Sequence, residues 1–170
     1  SDTDFDFGTG DFSVMFWAKT TDTSETEDYV SRMDSTLEEG DWTVLKHNDN
    51  SCRFYIRTSS AWVEVVRGST IDANWKQVVV ARSGTLVSLY INGSRVDTAT
   101  SSLTMTPSGG SELRIGGRAQ SPYYPAADAS LSLVRISATA PTPQQVKDIY
   151  EAEKPLFRAG AKCLLQSDHP

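Results

Sequence analysis

The chain has 170 residues, 38% of them hydrophobic, which is one domain's worth of polypeptide with enough apolar mass to bury a core without a metal or disulfide staple. It carries 22 Asp+Glu against 16 Lys+Arg, a formal net charge of −6, and so lacks the basic footprint that nonspecific nucleic-acid binding requires. No apolar run approaches the roughly 18 residues of a membrane-spanning helix, and no basic segment followed by an apolar stretch marks a signal peptide, so neither nucleic acid nor membrane insertion is expected.

The acidic excess is uneven. Residues 1–41 hold 12 Asp+Glu and 2 Lys+Arg, whereas residues 42–170 hold 10 and 14. Acidic loops at one end of a domain either bind cations or keep the protein soluble. Cys52 and Cys163 are too far apart in sequence to form a metal knuckle, and two thiols are no disulfide framework; they read as buried or free in preference to a single bridge.

Strand signals follow at regular spacing. Residues 12–18 are β-branched and aromatic with no Gly or Pro inside. Residues 20–28 and 34–41 read as long acidic, polar loops, with the clusters 25–28 and 38–41 in turn-like contexts. Residues 42–47 form a strand that Trp42 begins. Residues 52–58 alternate cleanly, Cys52, Phe54 and Ile56 on one face and Arg53, Tyr55 and Arg57 on the other, which is the pattern of a half-buried antiparallel strand. Ser59-Ser60 leads into a strand over 61–67, and Ser83-Gly84 joins strands at 75–82 and 86–91. Asn92-Gly93 reads as a type I′ turn, since both central positions need positive φ, and opens a strand at 95–100. Residues 104–111 form a Ser/Gly-rich loop, and residues 113–115 and 131–136 complete at least eight short strands, the mark of an all-β antiparallel sandwich or barrel. Thr142 as cap, Pro143 at the first helical position and Val146, Ile149 and Tyr150 on one face predict a single short C-terminal helix over 143–152, stopped by Pro155 and suited to covering a sandwich edge or sheet end. Trp17, Val79, Leu89 and Ile136 are expected to be largely buried, and Trp17 and Trp75 to be core packing.

In order and spacing these segments resemble a known family. The strand Asp11-Phe-Ser-Val-Met-Phe-Trp-Ala18, the stretch Asn74-Trp-Lys-Gln-Val-Val-Val80, Val87-Ser-Leu-Tyr-Ile-Asn-Gly93, Leu113-Arg-Ile-Gly-Gly117 and the closing 131–136 strand with its 143–150 helix are similar to the signatures of laminin-G-like domains of the concanavalin A-like jelly-roll superfamily. The resemblance spans about residues 4–152 and implies a concanavalin-like β-sandwich at 1–157, followed by an extension at 158–170 leading to a further region of a longer protein. Residues 149–157 and 161–166 are similar to stretches that follow such domains in bacteriophage tail-fibre and other virion proteins, which implies a virion location. Two departures stand out: Ser130 and Ser132 occupy positions where relatives often carry Gly and Asp, and no calcium-binding motif of such relatives transfers here residue by residue.

The enzymes of this fold resemble one another in an E-x-D-x-x-E strand with its carboxylates on one face, and a hydrolase needs two carboxylates across the scissile bond. The chain has no such strand, and Glu64 stands alone in its own; catalysis is not expected. His47 and His169 are the only histidines, too few for a zinc site. No cofactor is required. Calcium is the one candidate, with oxygens from Asp49, Asn50 or Asp128, although 48–51 equally fits a polar hairpin turn.

Sugar sites pair an aromatic face with a few planar hydrogen-bonding groups. Trp62, Tyr55, Tyr123 and Tyr124 supply rings, and Arg118, Gln120 and Asn48 supply polar partners. Tyr123-Tyr124, bracketed by Pro122 and Pro125, is the leading pair, because a Pro-stiffened loop exposes a ring. Two functions remain open: a lectin-like module that binds a host-surface glycan through rim loops, or a structural module that contacts other virion subunits or copies of itself. Exposed convergent aromatics favour the first and a broad outward apolar patch the second.

Overall fold

Alternating side chains and tight turns fold the chain into two five-stranded antiparallel sheets packed face to face. The computed structural model describes residues 5–34, 36–107, 111–118, 125–126, 128–158 and 161. Its strands are β1 (Phe12–Thr20), β2 (Glu27–Met33), β3 (Trp42–Lys46), β4 (Ser51–Arg57), β5 (Trp62–Thr70), β6 (Lys76–Ser83), β7 (Leu86–Ile91), β8 (Ser94–Thr100), β9 (Glu112–Ile115) and β10 (Ala129–Ser137). One helix, α1 (Pro143–Glu153), runs into a 3₁₀ turn at Lys154–Phe157. Sheet I has the order β10-β1-β6-β7-β8 and sheet II the order β5-β4-β3-β2-β9, and the expected all-β sandwich with one short C-terminal helix is the fold.

Turn chemistry sets the registers. Asn92 and Gly93 both take positive φ, 52° and 75°, in the two-residue turn between β7 and β8, the type I′ geometry that matches strand twist. The β3–β4 hairpin closes over 47–50 with Asn50 at φ 64°, a turn ending in a left-handed residue, which Asn tolerates.

The core lies between the sheets. Phe12, Val14, Phe16, Val78, Val80, Val87 and Leu89 from sheet I meet Tyr29, Val30, Trp42, Val44, Cys52, Phe54 and Ile56 from sheet II. Arg82 points into the same layer, wholly buried, and donates to the carbonyls of Gly8 (2.6 Å), Gly10 (2.7 Å) and Leu103 (2.9 Å). These bonds tie the chain before β1 and the chain after β8 to the sandwich end, and they satisfy a cation whose burial would otherwise be costly.

The outer face of sheet I is covered too. Met15, Val79, Ala81 and Tyr90 form a second cluster with Val146 of α1. Thr142 and Gln145 cap that helix reciprocally, and Trp17 stacks on Tyr150 and Phe157. A strand covered on both faces has no solvent-facing side, hence the continuous burial from Phe12 to Ala18 in β1 and from Gln77 to Arg82 in β6.

Four expectations are corrected. The helix covers a sheet face, not an edge or end. Trp17 is buried, but beneath α1 and outside the inter-sheet core, and Trp75 is half-buried beside Lys19 and Phe157. Ile136 is only half-buried, because β10 is the edge strand of sheet I. Glu27 and Asp28 belong to β2 and are buried, not in a turn. A β-bulge between Asp28 and Val30 places both Tyr29 and Val30 in the core, which breaks the alternation by which such a strand is recognised.

Candidate functional site

With α1 over sheet I, the outer face of sheet II carries the site. Period two along β3 sends Trp42, Val44 and Lys46 inward and Thr43, Leu45 and His47 outward, and β4 sends Tyr55 outward beside Arg53 and Arg57. Trp62, the first residue of β5, pairs with Arg57, and Glu64 pairs with Tyr55. A cleft of about 200 Å³ opens there, lined by Thr26, Thr43, Leu45, His47, Tyr55, Trp62 and Arg118. Gly116, at φ 81°, bends the chain beyond β9, and Arg118 enters the cleft two residues later.

The polar groups are held in place. Asp28, fully buried beneath the cleft, accepts from Thr43 Oγ1 at 2.5 Å and places Oδ2 3.4 Å from Arg118 Nε. Burial pushes the Asp28 carboxyl above the usual range, opposed by the Thr43 hydrogen bond and the Arg118 charge. Tyr55 donates to Glu64 Oε2 at 2.8 Å and accepts from Arg53 Nη1 at 3.0 Å; burial leads the rise of its phenol. The Arg57 guanidinium lies 5.9 Å from the Trp62 ring centre, within cation–π range. The cleft thus offers two aromatic rings on a polar frame whose rotamers are fixed by ion pairs.

The structure gathers Trp62, Tyr55 and Arg118 around this one cleft. Asn48 is exposed in the β3–β4 turn next to His47. Tyr123, Tyr124 and Gln120 lie outside the described residues. A second, wider cavity of about 440 Å³ on the other side of Arg118 is lined by Arg114, Ile115, Gly116, Gly117 and Pro125, with no aromatic ring among its described residues.

Asp49 has a different setting from that of a calcium ligand. Its Oδ1 accepts from Ser51 N (3.1 Å) and Ser51 Oγ (2.5 Å), and its Oδ2 accepts from Arg53 (2.6 Å) and from Arg67. These hydrogen bonds, that of Ser51 foremost, pull its carboxyl far below the ordinary range. Asp128 is exposed in the turn that leads into β10, and Asn50 Oδ1 faces Lys46 Nζ at 3.4 Å. Among the described residues no three His, Cys, Asp or Glu side chains stand close enough to hold a metal, and no helix is long and apolar enough to cross a membrane.

Sequence reasoning passed over Thr26, Thr43, Leu45, His47 and Asp28. The first strand of the β3–β4 hairpin carried a usable signal, since Thr43, Leu45 and His47 follow the period-two rule; Asp28 carried none, because it sits at the bulge.

Two antiparallel sheets with a helix over one outer face and a ring-lined cleft on the other define a concanavalin-like jelly roll. Residues 1–147 match the laminin-G model described as the concanavalin A-like lectin/glucanases superfamily, and the chain belongs to that family. No curated protein sequence matches it. Among solved structures, the binding domain of Paraclostridial Mosquitocidal Protein 1 is similar with a TM-score of 0.66 at 14% identity, over 89% of this chain and 39% of that one. The botulinum neurotoxin type G receptor binding domain gives 0.65 at 12% identity, over 85% and 38%. The binding domain of botulinum neurotoxin DC in complex with rat synaptotagmin II gives 0.63 at 13%, over 85% and 36%. The chain therefore spans well under half the length of these neighbours, and at such identities the likeness is one of fold.

Proposed function

We propose that this domain is a non-catalytic, lectin-like binding module that recognises a cell-surface glycan through the cleft on sheet II, within a phage tail or fibre protein. The observation that carries the reading is the convergence of Tyr55, Trp62 and Arg118 on one cleft. Sugar C–H groups stack on aromatic faces while a guanidinium gives directional donors, and together they fix an orientation that neither fixes alone. One of the similar structures is a receptor binding domain and another is a binding domain in complex with rat synaptotagmin II, which supports a binding function here. The virion setting rests on the likeness of 149–157 and 161–166 to phage sequences. Catalysis has no support in the cleft, whose described lining contains no carboxylate, whereas a glycosidase of this fold sets two across the bond.

A glycan array probed with the isolated domain, with and without calcium, tests the reading. Selective binding weakened by Trp62→Ala is the expected result. An array with no bound glycan sinks it and leaves assembly contacts with virion subunits or further copies of the chain as the better account.

A further inference from the structure

Lys46 ends β3 with its side chain wholly buried, at the end of the sandwich where the acidic 20–27 segment meets the β3–β4 turn. Its Nζ donates to the carbonyls of Glu25 (2.7 Å) and Asp22 (3.1 Å) and toward Asn50 Oδ1 (3.4 Å), with Glu27 Oε2 at 3.7 Å. Glu27 is held in turn by Thr20 Oγ1 (3.1 Å) and the Tyr29 hydroxyl (3.3 Å). Two backbone carbonyls, an amide oxygen and a carboxylate are the donor set that hard cations take. Here a tethered ammonium meets all four.

The two segments that Lys46 joins each supply a residue to the lining of the cleft. Thr26 follows Glu25 directly, and His47 follows Lys46 itself; both line the cavity. The acidic composition of 20–28, which in sequence invites an external cation, has its positive charge supplied from within the chain.

We propose that Lys46 is a positioning residue, the resident cation that holds Thr26 and His47 in register, so that the cleft is formed without a metal ion. The ligand-binding half of this inference rests on the function proposed above; the loop-ordering half does not.

Hydrogen exchange separates the two. Lys46→Met keeps the length of the stem and removes the donors and their charge, leaving the Asp22 and Glu25 carbonyls without the ammonium. The amides of 21–26 and 47–50 should exchange at least about tenfold faster than in the wild type, with those of β6 and β7 unchanged. Lys46→Ala leaves space for a small amine: n-propylammonium should restore the lost protection, and tetramethylammonium, which has no N–H, should not. Should Lys46→Ala fail to fold, Lys46→Met alone decides. A uniform change, no change, or rescue by both amines overturns the proposal. In the wild type, chelator followed by millimolar calcium should alter neither loop exchange nor affinity for an array-selected glycan, and calcium-dependent ordering of 21–26 overturns it. If no glycan binds, the assigned ligand fails while the exchange data still decide the role of Lys46.

Discussion

Arg118 Nε stands 3.4 Å from Asp28 Oδ2, a carboxylate that has no solvent exposure of its own. Asp28 lies below the cleft and Arg118 in its wall, so the buried acid sets where the guanidinium points. Asp28→Asn should therefore weaken glycan binding without touching ligand. In a double-mutant cycle with Arg118→Ala the two should couple by about 0.5–3 kcal/mol. Additive effects on the calorimetric affinity would show that Asp28 does not aim Arg118.

Trp62 lines the cleft half-buried, at the start of an edge strand. Trp62→Ala should cost on the order of 1–3 kcal/mol of binding, by analogy with interface aromatics, and little stability. Isothermal titration alongside thermal melting separates the two. Full affinity in a folded variant would place the ligand elsewhere.

Asp41 sets a pH dependence. It is fully buried, accepts from Ser111 Oγ at 2.7 Å, and burial, the dominant cause, raises its pKa to about 6. Because the folded pKa lies above the unfolded value, near 3.9, the folded state holds the proton more tightly. Its stabilising contribution is full below about pH 4 and is lost as pH rises through about 6. Unfolding by denaturant across pH 4–7 should show a downward slope in stability that Asp41→Asn flattens. Equal slopes in both proteins would refute the assignment.

Phe157 stacks on Trp17 with ring centres 4.1 Å apart and planes within 15°, and it also meets Trp75. Phe157→Ala should lower stability by about 1–2 kcal/mol, less than a core truncation because the ring is half-buried, and should shift Trp fluorescence to the red. A variant with unchanged melting temperature and emission would mean that the 3₁₀ turn adds nothing to sheet I.

Much of the sandwich is legible in the sequence, and the exceptions have physical causes. Strand β4 announces itself because Cys52, Phe54 and Ile56 alternate with charged or polar neighbours, and Asn92-Gly93 fixes a hairpin because few other pairs accept two positive φ values. The helix start is marked by Thr142 and Pro143, where it is observed, and its expected last residue, 152, falls one short of Glu153. Strand β2 is hidden because its bulge turns two consecutive residues inward, and because Glu27 and Asp28 look solvent-bound until Lys46 and Arg118 arrive from elsewhere in the chain. Of the site, Tyr55, Trp62 and Arg118 could be named one by one as ring or donor; their convergence depends on strands brought together by register and was not visible. Trp17 and Trp42 are equally apolar in sequence, and only the docking of α1 separates the indole beneath the helix from the one between the sheets.

Helix α1 has made the two broad surfaces of the domain unequal. One is roofed by α1, and over the rings and guanidinium of the other no described element is laid. A domain grafted to a bead or a biosensor chip through the end of its 3₁₀ turn is therefore anchored by the roofed side and faces the solution with the cleft. Coupling through surface carboxylates, which include Glu64 beside Tyr55, would bury the cleft in a share of the molecules, and capture through the end of the 3₁₀ turn would keep it free in nearly all of them.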